Sequence, residues 1–322
     1  MIDSAADPQL PTVSVPVPPP TPSTPAAPDL LTRLFLGPEG LRAGGRLLVF
    51  VAIGQLLLKA GQALMRPTMH RVEHTVWHEL GKIVVPAVVV LLTTVIMSRV
   101  EHRPFGAYGL PWRQASGKNF AWGVLWGFGA LSLLLLTLRG LHAFYFGALA
   151  IHGVRAFKFA LFWAVFFFLV GIVEEGIFRG YAQFTLARGI GFWPAAVLLS
   201  ALFAVGHLSN PGENRIGILT VALIGLFWCF TLLRTGSLWF AVGLHASWDW
   251  AESYFYGVPD SGGMSPGHLL NSSSQGPAWL SGGSVGPEGS VLVVVVIALM
   301  FVVFHFAFPA QNTDRFLASR NM

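Results

Sequence analysis

Eight stretches of nearly unbroken apolar sequence dominate this chain, each close to the about 20 residues an α-helix needs to cross a hydrocarbon core. They run approximately over 45–65, 83–99, 119–138, 157–181, 191–208, 215–233, 237–255 and 290–309. The fold class they predict is an all-α membrane protein, a bundle of about eight transmembrane helices. Composition agrees: of 322 residues 54% are hydrophobic and 11% charged, against about 25% charged in an ordinary soluble domain. The net charge of +5 is thinly spread over many loops. That pattern reports membrane orientation and not a nucleic-acid footprint, which needs basic residues clustered on one face.

Domain organisation follows from the flanks. The first 30 residues hold nine of the 21 prolines and no Lys or Arg. Such a segment buries too little apolar surface to offset its ordering entropy, so residues 1–44 read as a flexible, partly polyproline tail. It has no basic region followed by an apolar core and does not read as a signal peptide. Residues 45–310 form the multi-span domain, and 311–322 a short C-terminal tail. An even number of spans puts both termini on one side. With that side cytoplasmic, the inner segments collect 12 Lys/Arg and the outer ones eight, and the 255–289 loop, which has none, lies outside.

Ionisable residues sit where lipid or a packed bundle is expected. In VEEGIFRG (Val173 to Gly180), Glu175 and Arg179 lie four apart and share a helix face, in the order that favours pairing. Glu174 points about 100° away without a local partner. LSALFAVGH ends on His207, one turn after Phe203, and FAVGLHASWDW places His245 and Asp249 four apart on one face. A charge near a helix centre costs about 2.5–3.5 kcal/mol on insertion scales, so such residues face a bundle interior or a wet cavity and point to function.

Together, EEGIFRG as EExxxR, FAVGH as FxxxH and HASWD as HxxxN/D, in this order on successive apolar spans, resemble the CAAX-protease and bacteriocin-processing (CPBP/Abi) family of intramembrane glutamate endopeptidases. The resemblance extends over about residues 83–309, including GLPWR (Gly109 to Arg113) and the GGSVGPEGS loop. It implies a water-accessible catalytic cavity in a peptidase of the cell membrane, acting on a membrane-associated protein or peptide and needing no cofactor. It assigns Glu174 as the base that takes a proton from water, His207 as its partner, His245 and residue 249 as the oxyanion-binding pair, and Glu175 and Arg179 as supports. One departure stands out. Many members have Asn where this chain has Asp249, and an ionised carboxylate accepts hydrogen bonds but donates none.

The same residues leave other chemistry open. Two His and two carboxylates suit a zinc site with three ligands and a water. A non-catalytic immunity, scaffold or transport protein is the alternative from another class. Elsewhere, His70, His74 and His78 recur every four residues, a spacing that aligns three imidazoles on one helical face, although Arg71, Glu73, Trp77 and Glu79 between them fit an interfacial helix. HELGK (His78 to Lys82) is not HExxH. Glu288 reads as the start of the last helix, Glu213 and Asn214 as solvated loop, and the single Cys229 as packing.

Overall fold

The computed structural model describes residues 35–37, 40–73 and 75–309. Most of the proline-rich tail, His74 and the C-terminal tail lie outside them. Ten α-helices are named in chain order: α1 Ala43–Arg71, α2 Val76–Val100, α3 Lys118–Gly140, α4 Gly153–Glu175, α5 Ala182–Ile190, α6 Phe192–His207, α7 Arg215–Thr235, α8 Trp239–Trp250, α9 Ala278–Ser281 and α10 Val291–Ala307. Helices therefore occupy all eight apolar stretches. Five are long and apolar enough to cross a membrane: α1, α2, α3, the continuous α4–α5 run Gly153–Ile190, and α7. The apolar helices α6 and α10 are shorter. Large apolar side chains on outward faces, such as Leu56, Leu64, Leu125 and Val295, are exposed as lipid contact requires.

Helix ends gather into two groups. At one end Phe144–Tyr145 pairs with Ser273–Ser274, Leu149 bridges to Leu270, Trp163 Nε1 donates to Pro266 O at 3.0 Å, and Ser284 Oγ donates to Gly212 O at 3.4 Å. These contacts tie the α3–α4, α6–α7 and α8–α10 connections into one cap. At the other end the GLPWR turn receives the start of α8: Leu238 N donates to Gly109 O at 2.7 Å and Trp239 Nε1 to Pro111 O at 3.0 Å. Gly109 has a φ of 88°, and a Cβ there would stand 2.8 Å from Leu238 Cγ. Glu101 closes the same end, accepting from Tyr108 at 3.0 Å and from Tyr181.

Small residues set the spacing of the central helices. A Cβ on Gly123 would lie 2.2 Å from Phe240 O, one on Gly127 2.2 Å from Leu244 O, and one on Gly243 2.5 Å from Phe120 O. Without these side chains α3 and α8 meet backbone to backbone, the way small-xxx-small faces pack in membranes. On its other side α8 meets α4 at Gly171, where an added Cβ would lie 3.2 Å from Val242 O. The core surrounds this α3–α8 contact, with Leu131, Leu134, Phe227, Phe240, Leu244 and Phe304 buried together.

The three-histidine face that the spacing allowed is not carried by one helix among the described residues. Helix α1 ends at Arg71 and α2 starts at Val76, so His70 and His78 belong to different helices. His70 lies 3.7 Å from Glu73, and Glu79 pairs with Lys82 at 2.9 Å.

Candidate active site

The EExxxR segment lies near the middle of the Gly153–Ile190 run, where regular α-helix gives way to a π-helical stretch, Gly176–Tyr181. Gly180 leaves helical geometry there, with φ −80° and ψ −118°. The chain kinks at Gly180 and joins two helices there, and π-type interruptions are common at functional sites.

The two adjacent glutamates have different surroundings. Glu175 is fully buried, and its Oε1 lies 3.4 Å from Arg179 Nη1 and 3.0 Å from His245 Nδ1. Arg179, also fully buried, has its guanidinium 4.3 Å from the centre of the Phe203 ring and 5.0 Å from that of Trp228. Both rings face the cation, so its charge is balanced by a carboxylate and by π-electron density. Glu174 keeps 30% of its side chain exposed, and its Oε2 stands 3.6 Å from His245 Nε2.

Helix α8 brings His245 and Asp249 to the same place. Both are buried, and Asp249 Oδ2 lies 3.4 Å from His245 Nε2. The His245 ring stacks on Trp228 with centroids 4.4 Å apart and planes 15° from parallel. An ionised carboxylate can only accept, so His245 Nδ1 carries the hydrogen directed at Glu175. His207, at the end of α6, directs Nδ1 to Phe203 O at 2.8 Å. A carbonyl oxygen likewise only accepts, which makes Nδ1 the donor and leaves Nε2 a lone pair in the neutral ring. This is what Phe203 does in the FxxxH motif: it fixes the tautomer through its carbonyl and packs its ring 4.5 Å from the imidazole.

These groups open on one cavity of about 950 Å³. Glu174, His207, His245 and Asp249 line it together with Trp228, while Glu175 and Arg179 lie behind its wall. Among the described residues, no hydrogen bond or ion pair joins His207 to Glu174 directly. The apolar side of the cavity comes from Trp163, Phe166, Phe167 and Val170 of α4 and from Val293 and Ile297 of α10.

The family match lies on this part of the chain. The family model described as Type II CAAX prenyl endopeptidase Rce1-like matches residues 156–251, which carry all three motifs. Over residues 156–251 the chain is similar to that Rce1-like family. The match supports a CAAX-type intramembrane protease that acts on a membrane-associated protein. The match is narrower than the 83–309 resemblance and leaves the GLPWR turn and the last helix outside it. No curated protein and no solved structure gave a match.

Several neighbours of the site did not emerge from the sequence. Trp228 is one, and the bond from His245 to Glu175 is another. A third is the acidic group of Glu252, Asp260 and Glu288, each offering a carboxylate oxygen within 4.8 Å of the others. Glu252 had a visible signal, since it follows Asp249 by three residues and His245 by seven, on the same helix face. Asp260 had none. Glu288 does not serve chiefly to start the last helix: Ser290 caps α10, and Glu288 accepts from Ser261 N at 3.2 Å and Ser261 Oγ at 3.0 Å. Burial pushes the Asp260 and Glu288 carboxyls above the usual carboxylate range. Asn214 caps α7, accepting from Ile216 N and Gly217 N, and Cys229 is buried in packing.

Proposed function

We propose that this protein is a metal-independent intramembrane endopeptidase in which Glu174 activates a water molecule against a peptide bond of a membrane-associated protein. The observation that carries the reading is the division of work between the adjacent glutamates. Glu175 is buried and bound to Arg179 and His245, whereas Glu174 is free to reach a cavity it shares with His207, His245 and Asp249.

In this mechanism a water lies between Glu174 and His207. The Glu174 carboxylate takes one proton, His207 Nε2 accepts the hydrogen bond from the other, and the oxygen attacks the carbonyl carbon. The carbonyl π pair moves onto oxygen, where the developing charge is met by His245 Nε2–H. Asp249, whose Oδ2 lies 3.4 Å from the same nitrogen, attracts the ring by charge, so in this reading His245 is the donor and Asp249 its holder. Glu174 then returns its proton to the amide nitrogen, the C–N bond breaks, and acid and amine products leave. Trp228 and the Glu175–Arg179 pair keep the imidazole in plane.

The substrate this reading favours is a prenylated C-terminal peptide: the description of the matched family supports it, and the apolar wall of Trp163, Phe166, Phe167 and Val170 suits a chain of hydrocarbon beside the scissile bond. Purified protein in lipid vesicles tests this with a farnesylated peptide and its unmodified twin. Cleavage of the farnesylated peptide, lost in Glu174→Gln, supports the assignment; equal cleavage by the two proteins overturns it.

A further inference from the structure

Beyond this chemistry, and independent of it, we propose that Glu252, Asp260 and Glu288 form a binding site for a hard divalent cation, best matched to Ca²⁺, at the capped end of the cavity. The three residues come from separate segments: the π-helical extension of α8 (Ala251–Tyr256), the loop after it, and the Pro287–Gly289 turn before α10. One carboxylate oxygen from each lies within 4.8 Å of the other two. Oxygen-to-Ca²⁺ distances of about 2.3–2.6 Å span such a spread, while Mg²⁺ demands a tighter octahedron. An all-carboxylate set suits hard cations and not zinc, which favours nitrogen and sulfur.

A separate observation points to a missing ligand. Glu252 is fully buried, and its Oε1 has no hydrogen-bond partner among the described residues. That atom faces the loop carrying Glu288, since a Cβ on Gly286 would stand 3.2 Å from it. Leaving a buried carboxylate oxygen unmatched is costly, and beside two more carboxylates the cost rises. Among the described residues, no Lys or Arg lines the cavity that Asp260 and Glu288 face.

The group is also built as a ligand set is built. In each carboxylate one oxygen accepts from an orienting donor: Glu252 Oε2 from Trp248 Nε1 at 2.8 Å, Asp260 Oδ2 from Ser253 Oγ at 3.0 Å, and Glu288 Oε2 from Ser261 N and Oγ. Among the described residues the second oxygen of each accepts no hydrogen bond. Donors that hold one oxygen while the other coordinates are the usual outer shell of a cation site. A cation here ties the end of α8, one turn beyond Asp249, to the loop of Asp260 and to the turn of Glu288.

Calorimetric titration of the full chain in detergent, stripped with chelator and then given CaCl₂, tests the site. We expect one saturable Ca²⁺ per chain, bound at least about 10-fold more weakly in Asp260→Asn and in Glu288→Gln, each of which keeps its serine hydrogen bond. Ser261→Ala leaves all three carboxylates in place and should weaken binding about 10-fold by freeing Glu288. Absence of saturable binding of Ca²⁺, Mg²⁺ or Mn²⁺ up to about 10 mM overturns the proposal, as does equal binding by wild type and all three variants. So does a rise in melting temperature with a lysine-containing peptide but with none of the cations, which would assign the carboxylates to substrate side chains. None of these readouts depends on turnover, so failure here leaves the role of Glu174 untouched.

Discussion

Changing each glutamate of the EE pair to glutamine, one at a time, separates the base from its support. Glu175 Oε1 touches Arg179 at 3.4 Å and His245 at 3.0 Å, and both Glu175 and Arg179 are fully buried. Removing one partner of such a pair costs about 3–5 kcal/mol, because an uncompensated charge remains. The aromatic faces of Phe203 and Trp228 stay against Arg179, each worth about 0.5–2 kcal/mol, and hold the loss near the lower limit. At about 2 °C per kcal/mol, Glu175→Gln should melt at least about 6 °C below wild type. Glutamine still accepts from His245 Nδ1, so turnover per folded molecule should persist. Glu174 is 30% exposed, and its contact with His245 at 3.6 Å is partly wet. Pairs of that kind contribute about 0–1 kcal/mol, so Glu174→Gln should melt within about 2 °C of wild type. Its turnover should fall about 10²–10⁴-fold with loss of the general base. Detergent melting curves beside cleavage rates of a farnesylated peptide read both quantities. Stability lost at 174 with turnover lost at 175 would show that the base is the other carboxylate.

Three further outcomes are expected. Chelator-treated protein should keep its turnover well below its melting temperature. Loss of activity that Zn²⁺ restores would establish a zinc protease instead, whereas restoration by Ca²⁺ alone would trace to the acidic cluster of the cap. Single cysteines at Ser273 and Ser319 in a Cys229→Ser background should differ on intact cells, with 273 labelled by an impermeant reagent and 319 not; the opposite result would turn the capped end of the cavity toward the cytoplasm. Gly127→Ala puts a methyl 2.2 Å from Leu244 O and from Ser247 Oγ, so it should destabilise by about 1–3 kcal/mol and lower turnover by displacing His245. Gly129→Ala, with nothing within 4 Å, should be neutral or stabilising by up to about 1 kcal/mol, and equal melting curves for the two variants would refute the close-packing argument.

Much of this protein was legible from local pattern. Apolar runs of spanning length specify helices because a backbone in lipid has no other way to satisfy its polar groups, and all eight runs are helical. Spacing alone put Glu175 with Arg179 and His245 with Asp249, since four residues make about one turn. Contacts between helices were not legible. The His245 bond to Glu175 spans 70 positions, and its stacking on Trp228 depends on how deeply α8 settles between α3 and α4. Gly123 and Gly127 set that depth, and their role appears only once α8 is packed against them. The spacing of His70 and His78 misleads for the opposite reason: it stays regular although α1 ends at Arg71 and α2 starts only at Val76. The acidic cluster assembles from residues 252, 260 and 288 only when the cap closes. Periodicity is a property of one helix and is written in its own residues, whereas a site made across helices depends on backbone distances that packing alone sets.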